Sequence, residues 1–282
     1  MKIMITGANG QLGQELQQLL DEMELEYFGC DSDEMDITDS SKVSAVFNEV
    51  QPTIVFHCAA YTAVDNAEDD GKELNYKVNV LGTENIAKAC KKRQAKMVYI
   101  STDYVFNGKN ENEYLTSDTP DPINEYGKAK LKGEEMVQKH LSMYYIVRTS
   151  WVFGQYGKNF VYTMLKLSET KSELAVINNQ YGRPTWTRTL AEFMIYLIEK
   201  EVPYGIYHLS NDGECSWYEF SKEILKDKEI TIDPVTSEEY PQKAQRPQHS
   251  ILSLEKTKKT GFEIPTWQQA LASFKTIIEN KS

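Results

Sequence analysis

Tyr126, Lys130 and Thr102 are the side chains whose types and spacing suit proton-transfer chemistry. Tyr126-Gly127-Lys128-Ala129-Lys130 sets a tyrosine and a lysine four residues apart, and on a helix positions i and i+4 share one face. A phenol titrates near ~10 when unperturbed, so at neutral pH it holds a proton that it can donate. A neighbouring ammonium stabilises the phenolate left behind, by about 1.4 kcal/mol per unit of pKa depression. Upstream, the run Ile100-Ser101-Thr102-Asp103-Tyr104-Val105-Phe106 places the Thr102 hydroxyl at the end of an apolar segment. There it can hydrogen-bond the same substrate oxygen as Tyr126, or simply cap a strand end. Together these groups suit carbonyl reduction, in which a proton reaches oxygen as hydride reaches carbon.

Hydride needs a carrier, and the N-terminus offers a place for one. Gly7-Ala8-Asn9-Gly10-Gln11-Leu12-Gly13 follows an apolar run and opens a helical pattern. Gly7, Gly10 and Gly13 permit a tight strand-to-helix turn and close approach of backbone to a pyrophosphate. The helix that begins at Gln11 and Leu12 aims its N–H groups and positive dipole end at the phosphates. A glycine triplet alone is a weak signal; its position between a strand and a helix strengthens it. Asp31 follows the second strand and can accept hydrogen bonds from the adenosine ribose. No arginine stands beside it to receive a 2′-phosphate, which leans towards NADH over NADPH. The alternative is a surface aspartate in the acidic loop of Asp31, Asp33, Glu34 and Asp36. Asp36 and Ile37 are candidates to lie by the adenine, the first near its amino group and the second against its face.

These residues need a scaffold, and the chain supplies a repeating βα pattern. Strands are predicted at Ile3–Thr6, within an apolar start running from Met1 to Ile5, and at Glu24–Cys30, Thr53–Cys58, Met97–Ile100 and Tyr144–Val147. Helices are predicted at Gln11–Leu20, Ser40–Val50, Glu73–Arg93 and Pro122–His140. The third strand is apolar almost throughout, as a strand buried on both faces should be. The pattern implies an α/β fold, a Rossmann-like doubly wound parallel sheet with helices on both faces. Beyond residue 150 the rhythm loosens. Helices are expected at Phe160–Leu167, Leu190–Glu199, Trp217–Lys226 and Thr266–Ile278, and strands at Leu174–Ile177 and Ile206–Leu209. Most of the prolines lie in this half. The expected division is a dinucleotide-binding domain over 1–150 and a smaller substrate-binding region over 151–282 that does not fold independently.

The chain has 282 residues, 40% hydrophobic and 26% charged, an ordinary globular composition. A net charge of −11 argues against a nucleic-acid-coating surface. It leaves room for an anionic small ligand held by helix N-termini or a buried arginine. No run approaches the ~18 apolar residues of a membrane span, and no signal peptide is evident. Cys30, Cys58, Cys90 and Cys215 are scattered without a CxxC pair. That makes disulfides and zinc weak readings and fits a reducing cytoplasm.

At this point the chain resembles the extended short-chain dehydrogenases/reductases, on GxxGxxG, a Thr at the end of strand 4 and YxxxK on the next helix. The strings STDYVF (101–106), YGKAK (126–130), RTSWVFG (148–154), LAVINNQYGRPT (174–185) and RPQHSILS (246–253) narrow the resemblance. They are similar to the dTDP-4-dehydrorhamnose reductase family, essentially from end to end. The resemblance implies reduction of the 4-keto group of dTDP-4-dehydro-6-deoxy-L-mannose to dTDP-L-rhamnose, with NADPH or NADH. It implies Tyr126 as proton donor, Lys130 on the nicotinamide ribose and tuning Tyr126, Thr102 on the keto oxygen and Asp103 against the sugar. Ala59, Ala60, Tyr61 and Thr62 would line the cofactor. Trp151 would contact the sugar, its indole giving an apolar wall and one N–H donor, unless it is a core residue. Arg246 would hold the diphosphate, a bidentate role suited to guanidinium, or else form a surface salt bridge. Some family members are thought to bind magnesium near a subunit contact. Glu15 and Glu192 are present here, but the cationic Arg188 suits a carboxylate magnesium site poorly, so no metal is expected. The expected assembly is a monomer or homodimer, without nucleic acid or membrane. The rival readings are a nucleotide-sugar epimerase or dehydratase of the same fold and a non-catalytic NADP-binding regulatory subunit. An intact Tyr126–Lys130 pair disfavours the latter.

Overall fold

The computed structural model describes residues 2–280; Met1 lies outside them. Strands β1 (Ile3–Thr6), β2 (Tyr27–Cys30), β3 (Ile54–His57), β4 (Lys96–Thr102) and β5 (Tyr144–Thr149) alternate with helices α1 (Gln11–Glu22), α2 (Ser40–Val50), α3 (Lys72–Tyr76), α4 (Thr83–Arg93) and α5 (Glu125–His140). The central sheet has six strands, and its five strand pairings are all parallel. From one edge it runs β2, β1, β3, β4, β5 and then the strand Gly205–His208. The chain leaves β1 outward to β2, crosses back to β3 and proceeds the other way. The switch between β1 and β3 therefore opens a crevice at the carboxyl ends of the strands.

Burial explains the strand composition. Every residue of β1 and β3 is buried, because helices cover both faces. Ile3, Ile5, Phe56 and Val147 pack under α1 and the helix Thr187–Glu199. Met4, Val55, Met97 and Ile146 pack under α2, α4 and α5 with Phe47, Ile86 and Val137. The region after residue 150 adds to this same sheet through Gly205–His208, and its helix Thr187–Glu199 lies against α1. It also has an apolar cluster of its own, centred on Phe153, Phe220, Trp267 and Phe274.

Several boundaries differ from the sequence expectation, for local reasons. β2 starts at Tyr27, not Glu24. Glu24 has φ 55 and Leu25 N–H donates to the Leu20 carbonyl, so this stretch ends α1 before the strand begins. α5 starts at Glu125 because the Asn124 carbonyl oxygen Oδ1 accepts from Gly127 N–H at 2.7 Å and caps it. The stretch 72–93 is continuous but passes through a π-helical segment at Lys77–Gly82. That segment aims Asn79 at the backbone of Tyr61. Asn79 Oδ1 accepts from Tyr61 N–H at 3.1 Å, and its Nδ2 donates to the Tyr61 carbonyl at 2.9 Å. The irregular turn thus fixes the loop after β3, a use typical of π-bulges near functional sites.

Candidate active site

The glycine turn is built as a phosphate cradle. Gly7 has φ +69, in the left-handed region that favours glycine. A Cβ on Gly13 would lie 2.2 Å from the Gly7 carbonyl oxygen, so only glycine lets α1 close onto the turn. Gly10 is the N-cap of α1 and no side chain caps the helix. The first-turn amides of a helix have no intrahelical partner, and Gln11, Leu12 and Gly13 all line the cleft. This donor set fits a pyrophosphate.

On one side of the turn lies a hollow of about 450 Å³ lined by Gly7, Gly10, Asp31, Asp36, Ile37 and Ala60 among others. Its volume and lining fit an adenosine. The Asp31 carboxylate accepts from Asn9 N–H at 3.1 Å, which orients it at the end of β2. Asp36 is engaged by Thr38, whose hydroxyl donates to it at 2.7 Å.

On the other side lies a larger cleft of about 760 Å³. It gathers Thr62, Thr102, Asp103, Tyr104, Tyr126, Lys130, Trp151 and Trp217. Residues far apart in sequence converge here because β4 ends, α5 begins and the segment after β5 starts at the same edge of the sheet. The Thr102 hydroxyl donates to Asp103 Oδ1 at 3.0 Å and accepts from Tyr104 N–H at 3.2 Å. It also hydrogen-bonds Tyr126. Burial and the Asp103 charge push the Tyr126 phenol well above its ordinary value, the Thr102 bond offsetting part of this. Tyr126 is therefore a protonated acid at neutral pH. Burial pushes Asp103 up to about 6, with hydrogen bonds from Ser250 and Thr102 acting the other way.

Lys130 is buried, and its Nζ donates to the Ile100 carbonyl at 2.6 Å while lying 4.2 Å from the Tyr99 ring centroid. Burial pushes its ammonium down to about 7, with Glu134 pulling the other way. Glu134 lies one turn further along α5, where Arg148 donates to both of its oxygens at 2.8 and 2.7 Å and Ser101 donates at 2.5 Å. This buried ion pair fixes the layer directly beneath Thr102 and Lys130.

The wall facing Tyr126 is aromatic. Trp151 and Trp217 stack with ring centroids 3.6 Å apart and planes 10° from parallel. Trp151 has φ 48, a strained backbone for a bulky residue. The bare face of Gly182 packs against its indole.

Not every residue named from sequence lies in this cleft. The Tyr61 hydroxyl is turned towards Gly71, away from the cleft that Ala60 and Thr62 line. Arg246 lines a neighbouring polar hollow of about 500 Å³ with Lys109 and Lys243. There its guanidinium donates to both Asp65 oxygens, at 3.1 and 2.7 Å. Arg188 bridges Glu22 and Glu192, while Glu15 accepts from the Thr187 hydroxyl at 2.9 Å. Trp217, Asn79, Glu134 and Ser250 were not singled out from sequence. Ser250 lies in the string RPQHSILS, and Trp217 follows Ser216 in a Ser–Glu219 capping box.

Comparison with known proteins places the chain. The family described as "RmlD substrate binding domain" matches residues 1–279. The spore coat polysaccharide biosynthesis protein SpsK of Bacillus subtilis (strain 168) is 44% identical over 97% of this chain and 96% of its own. The dTDP-4-dehydrorhamnose reductase of Aggregatibacter actinomycetemcomitans is 35% identical over 99% of both chains. Among solved structures, the Bacillus anthracis str. Ames dTDP-4-dehydrorhamnose reductase in complex with NADP superposes with a TM-score of 0.94. It is 42% identical and covers 99% of each chain. The chain therefore belongs to the RmlD substrate binding domain family, alongside the dTDP-4-dehydrorhamnose reductases.

Proposed function

We propose that this chain reduces the 4-keto group of dTDP-4-dehydro-6-deoxy-L-mannose to give dTDP-L-rhamnose. The observation that carries the reading is the convergence of Tyr126, Thr102 and Lys130 with the phosphate turn and a tryptophan wall in one cleft. The family's reductases and the NADP-bound relative support it. NADPH or NADH, when bound, supplies the hydride.

The residues divide the remaining work. Gly7, Gly10, Gln11, Leu12 and Gly13 hold the pyrophosphate, and Asp31, Asp36 and Ile37 line the adenosine. Ala60, Tyr61 and Thr62 form the loop under the cofactor, Tyr61 through its backbone. Tyr126 donates its proton to the sugar C4 oxygen. Thr102 orients that oxygen, and Asp103 bounds the sugar. Lys130 holds the nicotinamide ribose and favours the phenolate left on Tyr126. Trp151 gives the hexose an apolar face, which excludes water from the reacting carbon. Arg246 faces the nucleotide diphosphate from the basic hollow beside Tyr104, exchanging Asp65 for phosphate oxygens.

We place the enzyme in the cytoplasm as a monomer or homodimer that needs neither metal, nucleic acid nor membrane. Mixing the protein with the dTDP-4-keto sugar and NADPH, then NADH, and following absorbance of the reduced cofactor tests the reading. Stoichiometric, substrate-dependent oxidation is expected. Absence of oxidation with either cofactor, or interconversion of sugars without net oxidation, refutes it; the latter belongs to an epimerase.

A further inference from the structure

The segment 246–253 runs beside Tyr181 and reaches Asp103. Ser250 N–H donates to the Tyr181 carbonyl at 3.1 Å, and Tyr181 N–H donates to the Gln248 carbonyl at 2.7 Å. This pairing sets Ser250, which is buried, against Asp103. Its hydroxyl donates to Asp103 Oδ2 at 2.5 Å, while the Thr102 hydroxyl donates to Oδ1 at 3.0 Å. A hydroxyl has one proton to give. The bond to Asp103 anchors the Thr102 side chain at the edge of the cleft that Tyr126 also lines.

We propose that Ser250 is a positioning residue for the catalytic hydroxyls, holding the Asp103 carboxylate in the orientation that anchors Thr102 beside Tyr126. The inference rests on the reductase reading of the same cleft. It differs in assigning a role to a residue that lies outside the reacting atoms and more than a hundred positions from them in sequence. Without the Ser250 hydroxyl, one Asp103 oxygen loses its donor inside a buried site. The neutral acid is then favoured, its proton competes with that of Thr102, and Thr102 is free to rotate away from Tyr126.

The groups around Asp103 determine what a pH profile reads. Tyr104 faces it from the turn after β4 and Tyr126 from α5, both phenols held well above their ordinary value by burial. Arg246 lies behind Tyr104, always charged. Burial pushes Lys130, one turn beyond Tyr126, down to about 7. His249 flanks Ser250 in sequence. Burial pushes Asp103 up to about 6, and the acid limb is expected to follow it.

The test is steady-state kinetics of the full-length wild-type protein, Ser250→Ala, Ser250→Thr and a His249→Gln control, across about pH 5 to 9. Ser250→Ala is expected to lower kcat about tenfold at neutral pH with KM for NADPH unchanged. Its acid limb should move up by about one pH unit, the scale of one lost hydrogen bond to a charged group. Ser250→Thr should restore both, and the control should leave the limb in place. Wild-type kcat and profile in Ser250→Ala overturn the proposal, as does a lower kcat with an unmoved limb, which marks a merely structural role. If Ser250→Ala fails to fold, Ser250→Cys, of similar volume and weaker donation, is read by the same limb. An inactive wild type instead refutes the reductase reading itself, through a different arm of the experiment.

Discussion

A methyl group added at Gly13 and one added at Gly10 should damage the protein in separable ways. At Gly13 the new Cβ would lie 2.2 Å from the Gly7 carbonyl oxygen and 2.8 Å from Ala8 Cα. Backbone atoms cannot swing aside, so α1 must retreat from the turn by about 1 Å. Overpacking of this kind costs roughly 1–3 kcal/mol. At about 2–4 °C per kcal/mol for a domain near this size, the melting temperature of Gly13→Ala should fall by roughly 2–12 °C. Gly10 has φ −75 and ψ 168, which any residue adopts, and its added Cβ would meet only the Gly7 oxygen, at 3.2 Å. Gly10→Ala should therefore melt like the wild type. Its methyl nevertheless stands on the cradle where the pyrophosphate approaches, so NADPH affinity should fall at least ~tenfold, or about 1.4 kcal/mol. Thermal melting without cofactor and fluorescence titration with NADPH separate the two effects. A Gly10→Ala protein that binds NADPH with wild-type affinity, or that melts as low as Gly13→Ala, refutes the assignment of the turn.

Three further outcomes are expected. Tyr126→Phe should lower kcat by about 10²–10⁴-fold while NADPH binding is retained; near-wild-type turnover would remove Tyr126 as proton donor. Trp217→Ala should raise KM for the nucleotide sugar by about 2–10-fold through loss of the Trp151 stack, and a change confined to NADPH binding would contradict the sugar-wall reading. Stability should fall as pH falls from about 7 to 5. Burial holds His57 and His208 down to about 3. Their contribution is therefore complete above about 6.5 and lost as pH drops towards the folded value. Asp103, raised to about 6, acts in the opposite sense; its contribution is present below about 4 and lost as pH rises through 6. Near pH 5 unfolding takes up two protons and releases one from these groups, a slope of about 1.4 kcal/mol per pH unit. Urea melts that show constant or rising stability towards pH 5 would contradict it, and His57→Gln should reduce the slope.

Much of the scaffold was legible because each βα unit carries its own local signal. Buried parallel strands read as apolar runs, and the glycine turn sits where strand and helix meet. Tyr126, Lys130 and Thr102 were legible for the same reason, since helix spacing and a strand end place them. What escaped was set by tertiary approach. Strand Gly205–His208 is local in its apolar pattern, but nothing in that pattern says that it joins β5. Trp217 reaches the cleft only because the later helices fold back over Trp151. Asn79, Glu134 and Ser250 are ordinary polar residues in sequence, and only burial makes their hydrogen bonds consequential. The salt bridge of Arg246 to Asp65 joins positions 181 residues apart, beyond any local pattern. It realises the surface-pair alternative while leaving the guanidinium beside the basic hollow.

In the proposed reaction hydride reaches C4 of a dTDP-hexose as Tyr126 protonates its oxygen. Turnover with NADPH deuterated at the transferring position, followed by NMR of the nucleotide sugar, tests it most directly. dTDP-L-rhamnose carrying one deuterium at C4 is expected, formed in step with oxidised cofactor and lost in Tyr126→Phe. Label at another carbon, or product without label and without cofactor oxidation, would contradict it.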